Sequence, residues 1–477
     1  MRCRCMSRRR RISVLLICCM SLLIVSLDNT IVNVALPALG RELRAPVSGL
    51  QWTVDAYTLT LASLLMLSGS TADRIGRRRV FQTGLAVFTT GSVLCSVAPS
   101  LLWLVVFRAV QAIGGSMLNP VAMSIITNTF TDRRERAQAI GVWGGVVGIS
   151  MALGPVVGGL LTDTVNWRAI FWINVPIGLL AIALTWRFVP ESKAAKARRI
   201  DPVGQILVIA LLGPLTYGII EGPEAGWTSP LIMGCFAVAV LALVALLVYE
   251  PRRDEPLIDV RFFRSAPFSG AAAIAVSGFA ALGSFLFLNT LYLQSHRGLS
   301  ALEAGLYTLP IALISLVFGP VSGRLVGTRG PRLSLLVAGA CVAAAGVLLT
   351  QITLTTPIPV LLAIYVVFGL GFAMLNPPIT TTAVSGMPLA QAGVAAAVAS
   401  TSRQVGQSLG VAIAGSVVAV SAHGSGFIRA AHVGWWIMAL YGVLVLCVGL
   451  ATTGRWAKAT AERTARRLTA AEPVEAR

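Results

Sequence analysis

The sequence predicts an all-α polytopic membrane protein with fourteen transmembrane helices. Of its 477 residues, 56% are hydrophobic and only 12% are charged, against about 25% charged in a soluble domain. Fourteen apolar stretches are long enough to cross a bilayer, for which about 20 residues suffice. The basic residues cluster between alternate stretches. With the N-terminus placed in the cytoplasm, 31 of the 38 lysines and arginines thread to the inside, five to the outside and two into spans. That is the sign the positive-inside rule demands, and dropping one helix would invert every later loop.

Taken in order, helix 1 (12–39) follows a run with six arginines and runs outward. The opening MRCRCMSRRRRISVLLICC imitates a secretory or twin-arginine signal. Its apolar run outlasts a signal core and no A-x-A-like site closes it, so an uncleaved first helix is expected. Helix 2 (50–70) returns from an outer loop holding Arg41 and Arg44 to an inner one holding Arg74 and Arg77–Arg79. Helices 3 (79–98) and 4 (101–123) bring the chain back to Arg133–Arg136. Helix 5 (138–162) ends before Arg168, and helix 6 (167–189) descends to a linker with five basic residues. Helices 7 (203–221) and 8 (229–248) form a further pair, closed by four arginines at 252–264. Helices 9 (269–293) and 10 (302–325) flank Arg297 outside. Helices 11 (332–352) and 12 (357–380) start from inside arginines, and helices 13 (393–421) and 14 (432–453) flank Arg429. A tail with six basic residues ends the chain inside.

A faded duplication organises these elements. MLNP occurs at 117–120 and 374–377, AQA at 137–139 and 390–392, and GSTADR at 69–74 is echoed by GPVSGR at 319–324. The offsets, 257, 253 and 250 residues, keep one order, which favours two related halves. The expected division is an N-terminal six-helix bundle (1–190), an inserted helix pair with its linkers (191–266), a C-terminal six-helix bundle (267–453) and a cytoplasmic tail (454–477). Two parallel halves around a midplane cavity form a transporter architecture.

Composition also excludes functions. The pI of about 10.7 suggests nucleic acid, but basic runs confined between spans point to topology and lipid headgroups instead. Eight scattered cysteines contain no CxxC, and His296, His423 and His432 form no ligand cluster; no metal is expected. No GxxxxGK[ST] loop is present to bind ATP phosphates. The longest internal loop, 249–268, is too short for a catalytic domain.

The chemistry lies where polar residues interrupt hydrocarbon. LDNTIVNVALP (27–37) puts Asp28 inside helix 1, and a charge near a bilayer centre costs roughly 2.5–3.5 kcal/mol on insertion scales. Asp28 falls roughly 16 Å below the outer end of helix 1 at 1.5 Å per residue, Asp55 about 8 Å down helix 2 and Arg108 about 10 Å down helix 4. Two carboxylates and a guanidinium thus share the outer half of one bundle. Gln51, Asp55 and Thr58 take one face of helix 2, as Asn29 and Asn33 do in helix 1. Burial disfavours a carboxylate and a nearby guanidinium favours it, so a group held between the two can change protonation as water access changes. A static ion pair locking the helices is the alternative. Between Glu303 and Glu462 the chain has no acid at all, so carboxylate-borne protons belong to the N-terminal half. Glu221, at the outer end of helix 7, is expected to be interfacial. Arg403, in ASTSRQVGQSLG of helix 13, has Ser402, Gln404 and Gln407 beside it and no acid in its half. It either touches substrate or pairs with carbonyls across helices.

Several stretches together resemble the signature of fourteen-helix drug/proton antiporters, a branch of the major facilitator superfamily. They are LDNTIVNVALP with QWTVDAYTL, GSTADRIGRRRV (69–80), VVFRAVQAIGG (105–115), GVVGISMALGPVVGG (145–159), WRAIFWINVPIG (167–178) and IIEGPEAGW (219–227). The resemblance implies the major facilitator fold, two six-helix bundles plus two inserted helices, and a bacterial multidrug or antibiotic efflux pump rather than an enzyme. Protons would be the coupling ion, carried by Asp28 and Asp55 with Arg108, and no cofactor is needed. Asn29, Asn33, Gln111, Arg403 and Gln407 are the expected substrate contacts. Gating falls to the loop Gly69, Asp73, Arg74, Gly76, Arg77 and Arg78, where Asp73 acts as a latch, and to the bend Gly154, Pro155, Gly158 and Gly159. The expected setting is a monomer in the inner (cytoplasmic) membrane, both termini cytoplasmic, whose partners are a small molecule, protons and the bilayer. Proton-coupled uptake or Na⁺/K⁺-coupled antiport is the nearest alternative, and a membrane-embedded transferase or sensor the distant one.

Overall fold

A computed structural model describes residues 7–194, 201–253, 255–385, 387, 391–421 and 426–470. Cys3, Cys5, His423, part of the second AQA and the end of the tail lie outside them. Among the described residues there is no strand. The helices are α1 (Arg8–Leu43), α2 (Val47–Ile75), α3 (Arg77–Ser96), α4 (Leu101–Ser116), α5 (Asn119–Thr129), α6 (Arg133–Thr164), α7 (Ala169–Trp172), α8 (Asn174–Phe188), α9 (Pro202–Ala225), α10 (Pro230–Tyr249), α11 (Ala266–Thr290), α12 (Ala301–Arg329), α13 (Pro331–Leu349), α14 (Ile358–Val384), α15 (Ala392–Ser421), α16 (Phe427–Thr452) and α17 (Arg455–Ala470).

Every predicted apolar stretch is helical, and among the described residues eleven of the resulting rods are long and apolar enough to cross a membrane. The other three predicted stretches are α2, α3 and α15, whose apolar residues are interrupted by polar groups such as GSTAD, TTGS and STSRQ. Several predicted single helices carry an internal break. Helix 4 is α4 followed by α5, and Pro120 stands at the start of α5, where its missing N–H costs no ladder bond. Helix 6 is α7 followed by α8. Helix 9 is α11 continued by a wider π turn, Leu291–His296. The tail, expected only as cytoplasmic chain, forms α17. Its apolar edge (Ala457, Ala461, Leu468) is buried, and Thr460 Oγ1 accepts from the Ala266 N–H at 2.9 Å, tying α17 to the start of α11.

Contacts gather the chain into two units, residues 1–200 with 299–309, and 201–298 with 310–477. The first unit packs Tyr57, Leu61, Phe81, Phe88 and Ile126 into its core. Within it α3 and α4 meet at small residues: a Cβ on Gly91 would come within 2.6 Å of the Gln111 backbone. Such close approach is how membrane helices associate, and it sets Gln111 and Arg108 against α3. The second unit, which holds α9 and α10, centres on Phe285. That ring stacks on Phe368 at 4.5 Å and meets Tyr365 edge-on at 5.3 Å.

Candidate functional site

Asp28 and Arg108 form a direct ion pair in the first unit, Nη1 to Oδ2 at 2.5 Å, with both side chains essentially sealed (0% and 1% exposed). A buried pair is tolerable only if its remaining hydrogen-bonding groups are met. Here Asp28 Oδ1 accepts from Gln111 Nε2 (2.9 Å) and Asn174 Nδ2 (3.1 Å). Arg108 donates from Nη1 also to Gln111 Oε1 (2.8 Å), and from Nε to the Thr53 carbonyl (3.1 Å). Ser92 Oγ takes the second N–H of Gln111 (3.2 Å) and of Asn174 (3.1 Å) and passes its own hydrogen to the Phe171 carbonyl (3.0 Å). The Tyr57 ring lies 4.3 Å from the guanidinium carbon. Helices α1, α2, α3, α4, α7 and α8 all contribute to this one network.

The predicted residues divide around it. Gln111 lies inside the network and is fully buried. Asp55 is equally buried, with Thr58 Oγ1 donating to its Oδ1 at 3.2 Å; Gln51 is sealed on the same helix. Asn33 donates to the Asn29 carbonyl at 2.9 Å, one turn earlier on α1. Arg403 and Gln407 stand in the second unit on α15. Arg403 donates to Thr380 Oγ1 at 2.6 Å and reaches Ser400 Oγ at 3.4 Å, and Gln407 is buried. Asn174, Ser92 and Tyr57 were not predicted. Asn174 did carry a signal: an asparagine inside the quoted WRAIFWINVPIG.

At the C-terminal end of α2, Asp73 pairs with Arg77, Nη2 to Oδ1 at 2.8 Å. Gly76 has φ +130°, a conformation that strains any residue with a side chain, and a Cβ there would sit 2.6 Å from Glu191 Oε1, so that the carboxylate would have to move. Glu191 also accepts from the Arg78 N–H (3.1 Å), and Arg78 Nη2 donates to the Trp186 carbonyl (2.9 Å). The loop is thus fastened to the chain leaving α8, whose Ser192 carbonyl accepts from the Arg77 N–H at 2.9 Å. Arg74 is exposed, and Gly69 faces Pro120. Asp73 is therefore held by its i+4 arginine, and the unpredicted Glu191 is the loop's second anchor.

The glycine-proline stretch of α6 has two contact faces. Gly154 and Gly158 lie against Thr30 and Ile31 of α1, two and three residues beyond Asp28. Gly159 and the Pro155 carbonyl lie against Ala301, Leu302 and Gly305, in the part of α12 that belongs to the first unit. One turn beyond, Asp163 caps that helix start, accepting from the N–H groups of Ala301 (3.2 Å) and Leu302 (2.8 Å). The carboxylate meets donors that a helix start leaves open and the positive end of its dipole. No group of metal-ligating side chains occurs among the described residues.

Comparison with known proteins accords with this architecture. The family model of the Major Facilitator Superfamily matches residues 18–411. The chain is 36% identical over 400 residues to the multidrug resistance protein Stp of Mycobacterium tuberculosis, covering 84% of this chain and 74% of that one. It is 35% identical over 407 residues to the tetracenomycin C resistance and export protein of Streptomyces glaucescens (85% and 75% covered). It is 34% identical over 398 residues to the multidrug efflux pump LfrA of Mycolicibacterium smegmatis (83% and 78%). In fold it is similar to a bacterial homologue of the human lysosomal transporter Spinster, with TM-score 0.65 at 17% identity, covering 96% and 98% of the two chains. The matched family model spans both units, the relatives are named for drug resistance and export, and the all-helical architecture agrees: the chain belongs to the Major Facilitator Superfamily of membrane transporters.

Proposed function

We infer that the protein is a secondary active efflux transporter exporting a small, largely apolar drug or antibiotic in exchange for protons by alternating access. It crosses the inner membrane fourteen times as a monomer with both termini in the cytoplasm, and helices 7 and 8 are inserted between its two halves. The observation that carries the reading is the sealed Asp28–Arg108 pair, joined to α3 and α8 through Gln111, Asn174 and Ser92. A proton on Asp28 removes the carboxylate and leaves Arg108 with neutral partners only. Breaking a buried pair in this way costs about 3–5 kcal/mol, on the scale of the roughly 5.5 kcal/mol that carries a two-state equilibrium from 1:99 to 99:1. Proton arrival can therefore bias the bundle between states. Asp55 is the second acid of this machinery. Asn29, Asn33, Gln111, Arg403 and Gln407 serve the substrate. The Gly69–Arg78 loop and the Gly154–Gly159 bend serve gating, with the bend resting on α1 just beyond Asp28. The relatives' drug-export names support the direction and the cargo.

Everted vesicles test the reading. Added substrate should collapse a preformed proton gradient with the wild type. Asp28→Asn should insert normally yet lose this response, and Asp28→Glu should keep part of it. Unchanged pH-driven exchange by Asp28→Asn, or exchange driven by Na⁺ or K⁺ alone, would overturn the coupling.

A further inference from the structure

The second unit holds a partly buried cation without an ion-pair partner among the described residues. Arg108 is spent on Asp28. Among the described residues six ion pairs form, and Arg403 is in none of them. Its guanidinium lies in the angle between α11, α14 and α15, where two hydroxyls, Thr380 at 2.6 Å and Ser400 at 3.4 Å, supply acceptors but no charge. Its Nε is buried and without a hydrogen-bond partner, as are Oε1 of Gln404 and Oγ1 of Thr401 beside it on α15. The Thr380 rim is exposed and the Arg403 side chain is partly accessible, so the cation is not sealed. Its central carbon lies 6.0 Å from the Phe279 ring centre, and that ring meets Phe372 edge-on at 5.4 Å.

A cation kept in hydrocarbon without a counter-charge is expensive, and a guanidinium is built to take a planar oxyanion through two parallel N–H bonds. Beside it the partly accessible Phe279 ring, backed by the buried Phe372, offers a surface for a flat ring system. The geometry points to Arg403 as the receptor for the ionised acid group, a carboxylate or phenolate, of an aromatic substrate whose ring lies against Phe279. This deepens the efflux reading by naming a cargo class and rests on that reading for its biological sense. Thr380 is a positioning residue, holding the guanidinium at the rim.

Binding is measured on the full chain in phosphatidylcholine nanodiscs, with no gradient, by fluorescence anisotropy. The probes are 9-anthracenecarboxylate and its neutral amide, 9-anthracenecarboxamide. The wild type should bind the acid about tenfold tighter than the amide, as a charge-assisted pair allows. Arg403→Gln should lose that preference while amide binding stays within about twofold, and Arg403→Lys should keep part of it, a point charge replacing a fork. Thr380→Val should weaken the acid alone, by about threefold on the scale of one hydrogen bond, and decides the matter if Arg403→Gln does not fold. Equal binding of the two probes by wild type, no binding of either, or an acid preference surviving in these variants overturns the proposal. The assay uses no proton gradient, so its failure and a failure of proton exchange in vesicles are separate results.

Discussion

At the scale of single residues, cost and neighbourhood together explain the polar groups. Asp28 is expensive to insert, and it is accommodated because Arg108, Gln111 and Asn174 occupy its lone pairs. Asn174 has no charge and stands 146 positions away in the chain, yet it donates to the same oxygen as Gln111. Removing one donor to a buried carboxylate costs about 1.5–3 kcal/mol. Asn174→Ala should therefore slow proton-coupled exchange in proteoliposomes at least about tenfold while the protein still inserts and purifies normally. Wild-type exchange rates would reduce Asn174 to a packing residue.

At the scale of elements, small residues decide which helices can touch. The α6 stretch meets α1 through Gly154 and Gly158, and a Cβ on Gly158 would lie 2.6 Å from Ile31 Cγ1 and 3.1 Å from its carbonyl oxygen. A Cβ on Gly145, earlier on the same helix, meets nothing within 4 Å. Overpacking costs about 1–3 kcal/mol, so Gly158→Leu should lower thermal stability in detergent and impair transport, whereas Gly145→Leu should do neither. Equal effects of the two would mean that helix composition, not the α1 contact, explains the stretch. The α2–α3 loop obeys the same geometric logic through backbone conformation: the φ of +130° favours glycine at position 76, beside the Glu191 carboxylate.

At the scale of the whole molecule, the distribution of charge sets the threading. The proposed threading, with both termini inside and an even helix count, would put residues 190–202 in the cytoplasm and 222–228 outside. Single cysteines at Ala194 and Ala225 of a cysteine-free background should label from opposite faces with a membrane-impermeant thiol reagent. Labelling from the same face would break the count of fourteen.

The sequence by itself determined the helical rods and the membrane class, because hydropathy over about 20 residues is a local property and the bilayer admits few solutions to backbone hydrogen bonding. It also singled out Asp28 and Arg108, since a charge in hydrocarbon stands out by cost alone. It missed the break between α4 and α5, because an apolar stretch reads alike whether or not Pro120 restarts the helix. It missed α17, whose role depends on the α11 start it packs against. Tertiary structure alone decided the partners. Asn174, Ser92 and Tyr57 are ordinary residues until folding brings three further helices around Asp28, and Glu191 and Asp163 are surface acids until each faces its loop or helix start. Two acids, Asp28 and Asp55, and two arginines, Arg108 and Arg403, lie within predicted spans, and their number says nothing of who pairs with whom. Electrostatic interaction falls steeply with distance and dielectric, so only the fold, by setting Arg108 2.5 Å from Asp28, leaves Arg403 outside every ion pair among the described residues.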